Sequence, residues 1–213
     1  MATSTTQTSH SDLDRPAEAE PASTNPVIAD PGALGLAAFA TTTFVLSVFN
    51  AGLMSTELEP VVLPLSFFFG GIAQFLAGMW EFRKGNTFGA TAFGAYGMFW
   101  ASFAAYVQFV VPELGGTTKA AAATGLYLLA WTIFTAIMLV ASLRTNGAII
   151  GVFVTLLVTF LLLTIGELSG ASAIATIGGW VGILTALVAW YAAGAVVINA
   201  TWGRAVLPVA PRA

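Results

Sequence analysis

The sequence predicts an all-α polytopic membrane protein with six transmembrane helices per subunit and both termini cytoplasmic. Three observations predict it. Only 8% of the 213 residues are charged, against about 25% in a soluble domain. Mean hydropathy is +0.86, so the chain cannot cover itself with a solvated surface. The charges are also bunched: residues 31–56, 60–80, 85–112, 120–143, 145–166 and 168–203 contain no Asp, Glu, Lys or Arg. Each gap can hold the roughly 20 residues, at about 1.5 Å rise, that cross a hydrocarbon core of about 30 Å.

The elements follow in order. Residues 1–30 are dominated by Ser, Thr, Pro, Ala and acids. Such a segment cannot bury enough apolar area to offset its ordering entropy, so it is expected to be a disordered tail. It lacks the basic start and apolar run of a secretory signal. Helix 34–54 follows the turn Asp30-Pro31-Gly32, and Asn50-Ala51-Gly52 weakens its far end. Pro60 and Pro64 bracket the start of helix 61–81, where a missing backbone N–H is tolerated. Helix 88–110 stops before Pro112. Helices 120–142, 147–166 and 174–200 fill the remaining gaps. The transport domain spans 31–207, and 208–213 form a short C-terminal tail.

Orientation comes from the seven basic residues. With the connecting loops taken alternately, Arg15, Arg83, Lys84, Arg144, Arg204 and Arg212 fall on one side and only Lys119 on the other. The positive-inside rule makes the six cytoplasmic. Glu57, Glu59, Glu113 and Glu167 are then at the outer ends. Arg83 and Lys84 anchor a cytoplasmic turn beside Glu81, and Trp80 and Trp202 lie near that interface, where amphipathic rings are favoured.

Composition also excludes chemistry. With no cysteine, neither a disulfide framework nor a Cys metal site can form. The single histidine, His10, is in the tail, so no His-based metal or haem site is expected at membrane depth. No cofactor, catalytic dyad or nucleic-acid surface is indicated. The absence of charge at depth is informative, because pumps and many ion-coupled carriers place Asp, Glu or His there. What remains is weakly polar: Thr41, Thr42, Thr43, Ser47 and Asn50, then Gln74, then Thr87, Thr91, Tyr96 and Ser102. Thr124, Tyr127, Trp131 and Thr135 share one helix face. Hydroxyls can fold back on their own helix, whereas the primary amides of Gln74 and Asn50 need several partners. Those two fit interhelical bonding and pore lining equally well. Glycines such as Gly78, Gly97, Gly178 and Gly182 suit close helix approach.

The stretches LGLAAFATTTFVLSVFNAGL, FFFGGIAQFLAGMWEFRKGNTFGATAFGAYGMFW and GLYLLAW, with the C-terminal GRAVLP, resemble the acetate uptake transporter family, which includes the bacterial succinate–acetate permeases. The resemblance covers about residues 34–208. It implies six helices per subunit, a homo-hexamer in the cytoplasmic membrane, and acetate or a related small carboxylate as substrate. The family's Asn-Pro-Ala-Pro-Leu-Gly-Leu motif is altered here to Asp30-Pro31-Gly32-Ala33-Leu34-Gly35-Leu36, which adds a negative charge at the cytoplasmic mouth. The family's hydrophobic constriction maps to Phe39, Tyr96 and Leu156. Helices 1, 3 and 5 run the same way, and these residues lie roughly 8–13 Å in from the cytoplasmic ends at about 1.5 Å per residue. They can therefore meet at one level.

The expected function is passage of acetate and similar acids through a narrow pore in each protomer. Gln74, Asn50, Thr42 and Thr87 would donate hydrogen bonds to the carboxylate. Phe39, Tyr96 and Leu156 would form a collar that strips water, as hydrophobic constrictions do. Channel-like and proton-coupled passage both fit. The alternatives are a structural or accessory membrane protein, or a pore for small neutral solutes.

Overall fold

In the computed structural model, residues 28–210 are described, and all their regular structure is helical. Most of the expected tail, residues 1–27, lies outside the described residues, as do His10, Arg15 and Arg212. Six helical rods follow one another: α1 Gly32–Asn50, α2 Thr56–Lys84, α3 Thr87–Ala105, α4 Thr117–Ser142, α5 Gly147–Ser169 and α6 Ser172–Trp202. Five of them are long and apolar enough to cross a membrane; α3 is 19 residues long but diluted by Gly, Thr, Ser, Tyr and Trp.

The rods depart from uniform α-helix in two places. Within α2, a 3₁₀ turn over Thr56–Val61 leads through Val62–Leu65 into a π-helical stretch, Ser66–Ala73, before regular helix resumes at Gln74–Lys84. The rod starts earlier than expected because Ser55 caps it, accepting from the Glu57 N–H at 3.4 Å. α3 runs on through a π turn at Tyr106–Val110 and a 3₁₀ turn at Val111–Leu114. α1 stops at Asn50, short of the expected 54, and Gly52 turns the chain at φ +71°. Gapped or widened helical turns of this kind recur at functional sites.

Glycine sets the closest helix contacts. A Cβ on Gly78 would sit 2.4 Å from the Gly94 nitrogen, and one on Gly97 2.6 Å from the Phe75 nitrogen, so α2 and α3 touch backbone to backbone. On α6, Gly182 meets the Ser47 hydroxyl and Gly179 meets the Ala51 backbone of α1. Without a hydrophobic drive between helices in lipid, such close van der Waals packing holds a bundle together. Outside, large apolar side chains such as Phe68, Leu126 and Val140 are exposed. An apolar exterior of this extent is unsuited to water and fits lipid.

The charged knot at the end of α2 ties helix starts together. Lys84 Nζ lies 3.1 Å from the Asp30 carboxylate, whose other oxygen accepts from the Gly32 N–H at the first turn of α1. Glu81 is almost fully buried and accepts from the Asn86 side chain, which in turn caps α3 at Gly89. At the same end, the segment after α6 folds back. Asn199 accepts from the N–H groups of Val206 and Leu207, and the carbonyls of Val209 and Ala210 accept from Ala148 and Gly147 at the start of α5.

Candidate functional site

The core between α1, α3, α4 and α5 is aromatic. Phe39, Tyr96, Phe99, Trp100, Phe153, Leu156 and Phe160 are all buried in one cluster. Two cavities interrupt it. The larger, about 420 Å³, is bordered by Phe39, Thr43, Ser47 and Asn50 of α1, by Phe99, Trp100 and Tyr106, and by Thr56, Glu59 and Glu167. Its lining thus extends from mid-helix to the loops after α1 and α5, and it is called the outer cavity; the smaller, toward the starts of α1, α3 and α5, is called the inner cavity. The smaller, about 30 Å³, is bordered by Leu36, Phe39, Gln74, Phe88, Tyr96, Phe153 and Leu156. Phe39 and Leu156 border both. They form the partition between a space for several small molecules and a space that holds about two waters.

Tyr96 closes the narrow side. Its ring centroid lies 6.1 Å from Phe39 and 5.4 Å from Phe134, within the range of favourable aromatic pairs. Its hydroxyl is 2.8 Å from Thr135 Oγ1, and that hydroxyl already donates to the Trp131 carbonyl. Tyr96 is therefore the donor of the pair. Its polar end is satisfied on α4, and its ring presents an apolar wall to the inner cavity. Thr135 was legible only as part of a polar face on α4; the bond to Tyr96 was not.

Gln74 follows directly on the π-helical stretch of α2. It is buried and borders the inner cavity, and its Oε1 has no hydrogen-bond partner. Asn50, the last residue of α1, borders the outer cavity. Thr42 and Thr87 border neither. Thr42 donates to the Ala38 carbonyl at 2.9 Å and packs against Gly70. Thr87 is exposed at the first turn of α3. The structure thus gathers Phe39, Tyr96, Leu156 and Gln74 around one narrowing, sets Asn50 farther out, and leaves Thr42 and Thr87 aside. Among the described residues, none that border the inner cavity is Asp, Glu, Lys, Arg or His.

A lipid-facing helical bundle with two cavities meeting at an uncharged narrowing is the architecture of a membrane channel or carrier for small solutes. Comparison makes the class specific: the chain belongs to the GPR1/FUN34/yaaH family, which it matches over residues 15–211. It is 43% identical over 188 residues to an uncharacterized protein of Methanothermobacter thermautotrophicus, covering 84% of this chain and 90% of that one. It is 40% identical over 186 residues to the succinate-acetate/proton symporter SatP of Escherichia coli K12, covering 87% and 97%. The solved structure of the bacterial acetate channel SatP superposes with a TM-score of 0.79 at 39% identity, covering 86% of this chain and 99% of that chain.

Proposed function

We propose that the protein carries acetate and related small monocarboxylates across the cytoplasmic membrane, by a path within each six-span protomer of a homo-hexamer with cytoplasmic termini. The observation that carries this reading is the meeting of the outer and inner cavities at Phe39 and Leu156, beside Tyr96 and Gln74, in a chain of this family. The ion pair of Asp30 with Lys84 and the bonds of Gly147 and Ala148 to the C-terminal segment support one common end for these helix termini.

The chemistry sets the requirement. A simple carboxylic acid has a pKa near the reference value of about 4.3 for Glu, so at pH 7 only about one molecule in 500 is neutral and lipid-soluble. A protein path admits the remainder. Phe39, Tyr96 and Leu156 form a collar that accepts a methyl group and excludes the hydration shell. Gln74 offers amide hydrogens to the carboxylate as it sheds water, which limits the desolvation cost of the anion. Asn50 acts at the outer end. A net charge on the protein is not needed at the narrowing, and a fixed cation there would hold the anion rather than pass it.

The experiment is uptake of labelled acetate by proteoliposomes of the purified chain, compared with protein-free vesicles. Saturable uptake above that background is expected, and its absence overturns the reading in favour of an accessory role. Current across a planar bilayer in an acetate gradient then separates the two modes. Anion conduction carries charge, and electroneutral passage with a proton does not.

A further inference from the structure

We infer that the segment Val206–Ala210 is a releasable strap. It pins the first turn of α5 against α1 and α6, and its release lets that turn swing out and widen the inner cavity. The inference rests on the transport reading and adds a moving part to it.

The inner cavity is too small for the solute as it stands. At about 30 Å³ it holds about two waters, and an acetate ion is larger than that. One wall must move for a solute to pass. The walls are α1, α2, α3 and α5. The first three are tied to one another at this end. Lys84 of α2 pairs with Asp30 just before α1, and Glu81 of α2 accepts from Asn86, the cap of α3. A Cβ on Gly35 of α1 would sit 2.6 Å from the Phe93 ring of α3. The remaining wall is α5, which contributes Ile149, Val152, Phe153 and Leu156 to the lining.

Deeper in the bundle, α6 grips α5. The hydroxyls of Thr159 and Thr185 are 3.1 Å apart, and Gly166 lies against the Ala175 backbone. At its start, Ala148 and Ile149 of α5 rest on a small apolar cluster of Leu36, Ala192 and Ala193. Two alanines offer little area to such a contact. The strap adds the directional bonds. Gly147 and Ala148 donate their N–H groups to the Ala210 and Val209 carbonyls at 3.0 and 3.3 Å. These are opening N–H groups of a helix, which have no acceptor within it.

Hydrogen bonds rather than burial hold the strap. Tyr191 donates to the Pro208 carbonyl, and Asn199 grips the backbone of Val206 and Leu207 with both ends of its amide. Leu207 and Val209 are half-buried, and Val206, Pro208 and Ala210 are exposed. Water can therefore replace these bonds at a small net cost. Ala210 sits at φ +52°, in the left-handed region that a Cβ disfavours, so release also relieves strain at the tip. Surface segments with few buried contacts open at the low end of the stability scale.

A reversible cross-link tests the strap within one protein. A Cβ on Gly147 would lie 3.0 Å from the Ala210 Cβ. A disulfide spans about 3.5–4.5 Å between Cβ atoms, a gap that the exposed tip can take up. The chain has no cysteine of its own, so Gly147→Cys with Ala210→Cys forms a defined bond. Acetate uptake by proteoliposomes of this variant is expected to fall several-fold on oxidation and to recover on reduction. Tyr191→Phe removes one strap bond and keeps the ring. It is expected to raise uptake up to about fivefold, the worth of one net hydrogen bond, with acetate–butyrate discrimination unchanged. A segment that only stabilised the fold would give the opposite sign. Equal uptake by the oxidised and reduced forms, or no gain in Tyr191→Phe, overturns the strap and leaves the path intact. A second readout needs no transport: the rate at which a water-soluble thiol reagent labels Val152→Cys, at a position 3% exposed beside the inner cavity. Faster labelling when Tyr191→Phe is added supports release, and an unchanged rate overturns it. Absence of wild-type uptake together with strap-dependent labelling overturns the transport reading and leaves the strap.

Discussion

Tyr96 donates its hydroxyl proton to Thr135 across the interior of the bundle, at 2.8 Å. This bond ties the polar end of the ring to α4 and fixes the angle at which its face meets Phe39. In the proposed path, selectivity at the collar is therefore expected to depend on a threonine that borders neither cavity.

Tyr96→Ala is expected to widen the collar and let propionate and butyrate pass at rates approaching that of acetate. Tyr96→Phe keeps the ring and loses one buried hydrogen bond, worth about 1 kcal/mol. It should lower the thermal midpoint slightly and relax selectivity much less. Competition of unlabelled acids against labelled acetate in proteoliposomes measures both. Equal selectivity in wild type and Tyr96→Ala would remove Tyr96 from the collar.

Gln74→Glu places a carboxylate at the inner cavity. At pH 7 its charge repels the permeating anion, so the protein-dependent uptake rate should fall at least tenfold. As pH drops, burial favours the neutral form of such a carboxyl. It then regains a hydrogen to donate, and uptake should recover in part. Gln74→Leu, without a donor at any pH, should stay low throughout. Rates corrected for protein-free vesicles, from about pH 5 to about pH 8, test the contrast, which follows from the ionisation ranges of carboxyl groups.

Glu59 and Glu167 both border the outer cavity, where an arriving anion meets two like charges. Replacing both by Gln is expected to raise the initial rate of acetate uptake from the outside several-fold at low ionic strength. The gain should shrink as salt shortens the screening length from about 30 Å at 0.01 M to about 3 Å at 1 M. A rate that ignores salt in both proteins would show that these carboxylates do not govern access.

Gly78→Ala would push a methyl group within 2.4 Å of the Gly94 nitrogen, against backbone that cannot rotate away. The two helices must separate, at a cost of about 1–3 kcal/mol, with a lower thermal midpoint in detergent. Gly194→Ala on α6 is the control, because nothing lies within 4 Å of the added carbon. Matching melting curves for the two variants would contradict the backbone contact.

The spans were readable because charge is so costly in lipid that its absence marks each crossing, and α4, α5 and α6 begin within a few residues of their expected starts. The special turns in α2 were not readable: a π stretch over Ser66–Ala73 carries the same residues as an ordinary apolar helix. Side-chain direction was harder still. Thr42 and Thr43 are adjacent, yet one is folded onto its own helix and the other is unpartnered beside a cavity. Gly70 of α2 packs against the first, and the larger cavity lies beside the second. The spacing of Phe39, Thr43, Ser47 and Asn50, at four, four and three residues, was the available clue to one lining face. Trp100 gave none, because a tryptophan in an aromatic run looks like core.

Val209 and Ala210 supply the acceptors for the opening N–H groups of α5, while Asn199 holds the segment before them in its bend. During synthesis, α5 reaches the membrane long before its acceptors have been made. Its first turn must therefore wait, bonded to water or headgroups, until Val209 and Ala210 arrive. Closure of this end of the bundle is thus completed by residues 206–210, and a bulky insertion placed there would compete with that fastening step.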